Sequence, residues 1–432
     1  MAGRGVRHFV AATAVAALAA YATLYGRLDG LTQIRSDGYS YYVYLPSVFL
    51  YHDLSLEALA DEWYGGPYPD FAGIRRWPST GRWLNIHPIG TAILVAPFFV
   101  AADLLSRWSN LPRDGFSIYY QHAAALAGLT YFLLGLAILR RILAPHFSDG
   151  VILATLICIT WGTNLFHYGV FDATFSHAHA FFLVCAWVWL VERWWDRPTV
   201  GLSLALGIVA ALNVLTRHTN AIYLLVLPLY GVTRWKDVTP RVAALGDRRR
   251  MLIVAAATGL AVTFPQFALY KWITGSWFVN AYATHGMGFS FGTPHLLAVL
   301  FSTQKGLFFW SPVLLLSVIG LAAAQGWASA LALPAVVVFA LQTYLIASWA
   351  QWQFGASFGH RGFTDGFALA APFMASCFEW AARHRHALRA IAVGAAAAVL
   401  LSLAQMVQYW MGILPMADTT WTQYRELFLR FQ

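Results

Sequence analysis

The chain has 432 residues, 59% of them hydrophobic and only 11% charged, where an ordinary soluble domain carries roughly 25% charged residues. That balance argues against a soluble enzyme and for an all-α polytopic membrane protein, because helices satisfy their own backbone hydrogen bonds in lipid. The net charge of +9 sits in short basic clusters between apolar runs, so it reads as positive-inside bias and not as a nucleic-acid surface.

Arg4 and Arg7 precede the first apolar run, 8–26. That run continues through Leu28 without a small-residue cleavage site, so it reads as a retained span with a cytoplasmic N-terminus. A long polar segment, 29–87, follows. Its first part, 34-IRSDGYSYYVYLPSV-48, sets Asp37 among Tyr39, Tyr41, Tyr42 and Tyr44. Two readings of Asp37 stand side by side. It can cap a helix over 39–51, or it can act as a general base. The tyrosines suit a sugar or an interfacial aromatic belt equally. The stretch 54-LSLEALADEW-63 has the apolar spacing of an amphipathic helix lying on the bilayer surface. Arg82, Asn85 and His87 then lead directly into the apolar run 88–105.

Further spans are expected at 118–139, 150–168, 176–193, 199–215, 219–233, 251–273, 306–324, 328–348, 364–382 and 388–413. Basic clusters at Arg140–Arg141, Arg193–Arg197, 234–250 and 383–389 belong on the cytoplasmic side. They all land there only if 88–105 lies in the interface or re-enters without crossing. The expectation is one domain over 1–432, with about eleven spans, the N-terminus inside and the C-terminus outside. Cys158, Cys185 and Cys377 have no motif spacing and read as inert buried thiols.

This topology gathers the unusual polar residues on the outer side, in 29–87, 169–177, 217–220, 274–305 and 349–363. In 171-FDATFSHAHAFF-182, Asp172, His177 and His179 invite a metal reading. Histidines two residues apart point about 200° apart on a helix, which favours a polar patch, or a helix start capped by Asp172 or Thr174. Arg217 and His218 sit at a tight turn, where Arg217 either snorkels to lipid phosphate or binds a ligand. The loop holding His285 and Lys305 has Gly286, Gly288 and Gly292 but no βαβ unit for a dinucleotide, and it fits a surface helix at 294–302. Lys305 can hold phosphate as a point charge. In 349-WAQWQFGASFGHRGFTDG-366, Arg361 can fork onto phosphate or pair with Asp365, and His360 adjoins it. The candidate site-lining residues are Tyr39, Tyr42, Arg82, His87, Asp172, His179, His285 and His360.

SDGYSYY, HPIGTAILVAPF, GTNLFHYGVFDATFSHAHAFF, LNVLTRHTNA, the run from FPQFALYKWITGSWF to STQKGLFFWSP, and WQFGASFGHRGFTDGFALAAP resemble, in this order, bacterial membrane glycosyltransferases of the GT-C fold. That group includes relatives of the aminoarabinose and protein O-mannosyl transferases. The resemblance implies a GT-C-like helical bundle with juxtamembrane helices in the first outer loop. It implies transfer of a sugar from a polyprenyl-phosphate carrier to a glycan, lipid or protein acceptor, on the periplasmic face of the bacterial inner membrane. It carries the base onto Asp37 and the phosphate grip onto Lys305, Arg361 and Arg217. The chain departs from the pattern with HPIG in place of His-Pro-Pro-Leu, a lone Asp37 in place of an acidic pair, and no large soluble C-terminal domain. Acceptor type and use of a divalent cation therefore stay open. A transporter or flippase of lipid-linked sugars, or a glycan ligase or polymerase, is the alternative expectation.

Overall fold

The computed structural model describes residues 4–25 and 32–431. The opening of the long polar segment, 29–31, lies outside the described residues. Alanine-rich α1 (Arg4–Tyr25) is followed by short elements: α2 (Asp37–Tyr42), α3 (Tyr44–Phe49), α4 (Glu57–Tyr64) and an antiparallel hairpin of β1 (Ile74–Arg76) and β2 (Trp83–Asn85). Of the stretch 54–63, expected to be an amphipathic helix, the residues from Glu57 onward form α4, which buries Leu59 and Ala60 and exposes Asp61 and Glu62. Asn85, at the end of the hairpin, donates to the Ser40 carbonyl at 2.7 Å and so ties β2 to α2.

The bundle proper begins with α5 (Gly90–Trp108) and α6 (Ile118–Leu143). Next come α7 (Asp149–Trp161), α8 (Leu165–Val170), α9 (Ser176–Asp196) and α10 (Val200–Thr216). A 3-10 turn, His218–Leu225, leads to α11 (Val226–Leu229), α12 (Val238–Asp247) and α13 (Arg249–Thr274). The last part holds α14 (Leu296–Phe301), α15 (Leu307–Trp310), α16 (Leu315–Ala322), α17 (Gly326–Ala330) and α18 (Ala332–Ser348). A 3-10 turn, Arg361–Gly366, opens α19 (Phe367–Ala382), and α20 (Arg385–Trp410) and α21 (Trp421–Leu427) complete the chain. Helix α9 is the hub, buried along most of its length and packed on α6, α10 and α19.

Among the described residues, five helices are long and apolar enough to cross a membrane: His8–Tyr25 within α1, α5, α6, α13 and α20. A 26-residue helix spans about 39 Å, against about 30 Å of hydrocarbon. Several other expected spans are shorter or broken, each for a local reason. The run 150–168 divides at Gly162–Asn164, where the Thr163 hydroxyl donates to the Ile159 carbonyl at 2.6 Å and accepts the Leu165 amide at 3.2 Å. The run 306–324 breaks at Pro312, which has no amide proton to continue the ladder. The run 219–233 starts as a 3-10 turn, because Arg217 leaves α10 in an extended conformation.

The segment 88–105, expected not to cross, forms the single 19-residue helix α5, which has the length and composition to cross. Its start abuts the end of α10, where a Cβ on Gly90 would come within 2.3 Å of the Leu215 backbone. From there α5 runs antiparallel to α6. Tyr131 donates to the Leu94 carbonyl at 3.0 Å, and Tyr120 donates to Asp103 at 2.7 Å.

Candidate functional site

A cavity of about 700 Å³ lies where α2, the join between β2 and α5, the end of α10, the loop after α13 and the loop after α18 converge. It draws together Asp37, Ser40, Tyr41, His87, Arg217, His218, Tyr282, His285 and Arg361. These residues are spread over more than two thirds of the sequence, so the fold and not a local motif makes the site.

Asp37 opens α2 after a sharp turn at Ser36, whose φ is +48°. Neither Ser36 nor Asp37 places a side chain on the helix amides, so the capping reading is corrected: the carboxylate is engaged elsewhere. Asp37 Oδ2 lies 2.8 Å from Arg361 Nη1, with the aspartate side chain 31% exposed and the arginine 11%. Burial pushes the Asp37 pKa up, but Arg361, His87, His177 and Arg217 outweigh it and hold the carboxyl below its ordinary range. Arg361 shows the reciprocal effect: burial lowers its pKa, Asp37 raises it, and the net direction is up. The alternative partner foreseen for Arg361, Asp365, is not its ion-pair partner. Asp365 lies 3.8 Å from Arg217 Nε and 3.5 Å from His177 Nδ1, with its side chain 1% exposed.

Arg217 is turned inward, away from the lipid-snorkelling alternative. Its Nη1 donates to His177 Nδ1 at 2.9 Å. Its guanidinium carbon stands 5.9 Å from the centre of the Phe354 ring, and that of Arg361 stands 5.7 Å from the same centre. One aromatic ring therefore serves two cations.

His87 is buried in a chain of polar groups. Ser40 Oγ donates to the Asp37 carbonyl at 3.0 Å, so it accepts from His87 Nδ1 at 2.6 Å. The Tyr282 hydroxyl then donates to His87 Nε2 at 3.2 Å. These bonds assign a neutral ring with its proton on Nδ1. Burial drives the His87 pKa down to about 4, against the pull of Asp37. Tyr41, which the sequence reading left off the site, packs its ring 4.0 Å from that of His87 and accepts a hydrogen bond from Ser176 at 3.0 Å.

Of the expected site residues, Asp37, His87, Arg217, His285 and Arg361 line this cavity and seven others do not. Tyr39 stacks on Phe116 with ring centres 5.6 Å apart, and Tyr42 donates to the Gly115 carbonyl at 2.6 Å. Arg82 lies over the Trp272 ring at 4.6 Å and donates to the Trp272 carbonyl. Asp172 is held by Arg35 at 2.9 Å and by His167 at 2.9 Å, and it caps no helix. Thr174 likewise leaves the helix start and donates to the Gln33 carbonyl at 2.9 Å. His179 donates through Nδ1 to the Phe175 carbonyl one turn back, at 3.1 Å. His360 is buried between Phe354 and Phe363, and burial brings its pKa down to about 3. Lys305 is 1% exposed and donates to the carbonyls of Ser357 and Met416, which fastens the tail to the Arg361 loop. Burial, aided by Arg361, lowers its pKa to about 7.

Among the described residues, no group of three or more His, Cys, Asp or Glu side chains is placed to hold a metal ion. The arrangement offers one cavity-lining carboxylate, Asp37, and two guanidinium groups, Arg361 paired to Asp37 and Arg217 near buried Asp365, together with neutral imidazole and phenol groups. That is the equipment to bind an anion and to take a proton from a hydroxyl next to it. No protein-family model matches the chain, and no curated protein matches it.

Proposed function

We propose that the chain is an integral membrane glycosyltransferase that moves a sugar from a polyprenyl-phosphate carrier to an acceptor hydroxyl on the outer face of a bacterial inner membrane. The observation that carries this reading is the placement of Asp37 with Arg217 and Arg361 in one cavity beside long apolar helices. A lipid-linked donor must be met at membrane height. Phe278, which lines the cavity and is 80% exposed, gives the opening an apolar lip suited to a prenyl chain.

In this mechanism Asp37 takes the proton from the acceptor hydroxyl. The freed oxygen lone pair bonds to the anomeric carbon. The bond from that carbon to the phosphate oxygen breaks, and its electron pair leaves with the phosphate. Arg217 and Arg361 stabilise the charge that grows there. Asp37 is ionised at neutral pH, because its neighbours hold its pKa low. Lys305 contributes at one remove, by holding the loop that carries Arg361.

The test is transfer by the purified full chain from a panel of polyprenyl-phosphate sugars, comparing the wild type with Asp37→Asn. The expected loss is about 10²- to 10⁴-fold, the usual contribution of a positioned base. Full activity in a folded Asp37→Asn protein would overturn the role of Asp37. Movement of the carrier across the bilayer without sugar transfer would favour a flippase.

A further inference from the structure

The group best placed to be the base is already paired through one of its oxygens. Asp37 Oδ2 is bonded to Arg361 at 2.8 Å, and the pair sits at the cavity wall. The two partners differ in freedom. The backbone of α2 is pinned: a Cβ on Gly38 would fall 2.2 Å from Thr174 Oγ1, and Asn85 holds the Ser40 carbonyl. Arg361 is held by its side chain on two ring faces, with its guanidinium carbon 5.4 Å from the centre of Phe175 and 5.7 Å from that of Phe354. Its Nε is buried without a hydrogen-bond partner. A planar guanidinium can shift across aromatic faces while keeping much of that attraction.

Charge then decides the order of events. A neutral acceptor hydroxyl can reach the carboxylate, which is 31% exposed to the cavity, but giving up its proton there would neutralise Asp37 and strand a buried guanidinium, which is strongly unfavourable. A phosphate anion gives Arg361 a replacement partner and can use its free Nε as well. On the reading given under Proposed function, we infer that Arg361 is a latch: the donor's phosphate draws it off Asp37 and frees the carboxylate to take a proton, so donor binding precedes productive acceptor binding. Release of the pair also raises the proton affinity of Asp37, which makes it a stronger base only when donor is present.

The experiment uses the full chain in nanodiscs and modifies carboxyl groups with a water-soluble carbodiimide and an amine, reading Asp37 by peptide mass spectrometry. Polyprenyl monophosphate, polyprenol and inorganic phosphate are compared, and carrier retention is measured in the same samples. Polyprenyl monophosphate is expected to raise Asp37 modification about tenfold, the scale of one pKa unit, and polyprenol to leave it unchanged. An equal rise with inorganic phosphate alone would support the latch and show that the lipid is dispensable for opening it. Carrier retention with no change at Asp37 would overturn the latch and leave the proposed function standing. Absence of carrier retention in the folded protein would overturn both. Arg361→Ala is expected to show high modification without carrier and no response to it, and low modification in a folded Arg361→Ala protein would also overturn the latch.

Discussion

Arg35 reaches from two residues ahead of Asp37 to Asp172 Oδ1 at 2.9 Å, and that bond makes Asp172 a foundation of the site and not part of its lining. The second Asp172 oxygen accepts from His167 Nε2 at 2.9 Å, while His167 Nδ1 accepts from Trp410 at 2.8 Å. Both oxygens of the carboxylate and both ring nitrogens are used. The chain of bonds runs from α20 to the segment that sets Asp37.

Asp172 carries a pH signature. Burial raises its pKa, but hydrogen bonds and charge from His167 and Arg35 outweigh burial and hold it at about 2. A folded pKa below the ordinary carboxylate value of about 3.9 means the stabilisation is present above pH 4 and is lost as pH falls toward 2. Its size is about 2–3 kcal/mol. Asp172→Asn should lower stability by about 3 kcal/mol or more at neutral pH and flatten the decline between pH 4 and 2. Thermal unfolding in detergent across that range checks both.

Lys305 should behave as a neutral pin. An uncharged amine keeps two N–H donors, enough for the carbonyls of Ser357 and Met416. Its pKa, lowered by burial to about 7, means the unfolded chain binds the proton more tightly. Its contribution should therefore make stability rise with pH from about 7 to about 10. In Lys305→Met that rise should vanish, and the two abandoned carbonyls should cost about 1–3 kcal/mol each. Unfolding measured over pH 7–10 distinguishes this outcome from a direct phosphate contact, which would show first as lost carrier affinity with unchanged stability.

The tyrosines of α2 should separate by face. Tyr41→Phe removes a hydroxyl from the cavity and is expected to lower transfer about tenfold or more. Tyr39→Phe should leave transfer near the wild-type rate, because its ring packs on Phe116 away from the cavity lining. Tyr42→Phe should cost about 1 kcal/mol of stability through its bond to Gly115, with little effect on the rate per folded molecule. Rates normalised to folded protein test all three.

The path of α5 has its own test. With Cys158, Cys185 and Cys377 replaced by alanine, single cysteines at Arg107 and Arg141 are offered to an impermeant maleimide in whole spheroplasts. Labelling at 107 and protection at 141 are expected if α5 stays on the outer side. External labelling at 141 would show that α5 crosses.

The apolar runs made the helical character of the chain legible in sequence, and motif order flagged Asp37, Arg217 and Arg361. What one dimension hid was direction. Within DGYSYY, positions 37, 40 and 41 share a helical face. That spacing picks out Ser40 and Tyr41 and leaves Tyr39 and Tyr42 on the opposite side. No comparable signal existed for Lys305 or Asp172, whose partners lie at Ser357, Met416, Arg35 and His167. A cation near a membrane face looks alike in sequence whether it meets a ligand or a backbone carbonyl.

Phe354 adopts a φ of +57°, an uncommon conformation for a bulky residue, beside Gly355 at +60°. The turn holds its ring near both Arg217 and Arg361. One aromatic ring therefore borders both like charges. A carboxylate in that position would have held them just as firmly and cancelled their pull. The ring steadies both cations without adding a third negative charge to Asp37, which pairs with Arg361, and Asp365, which lies by Arg217.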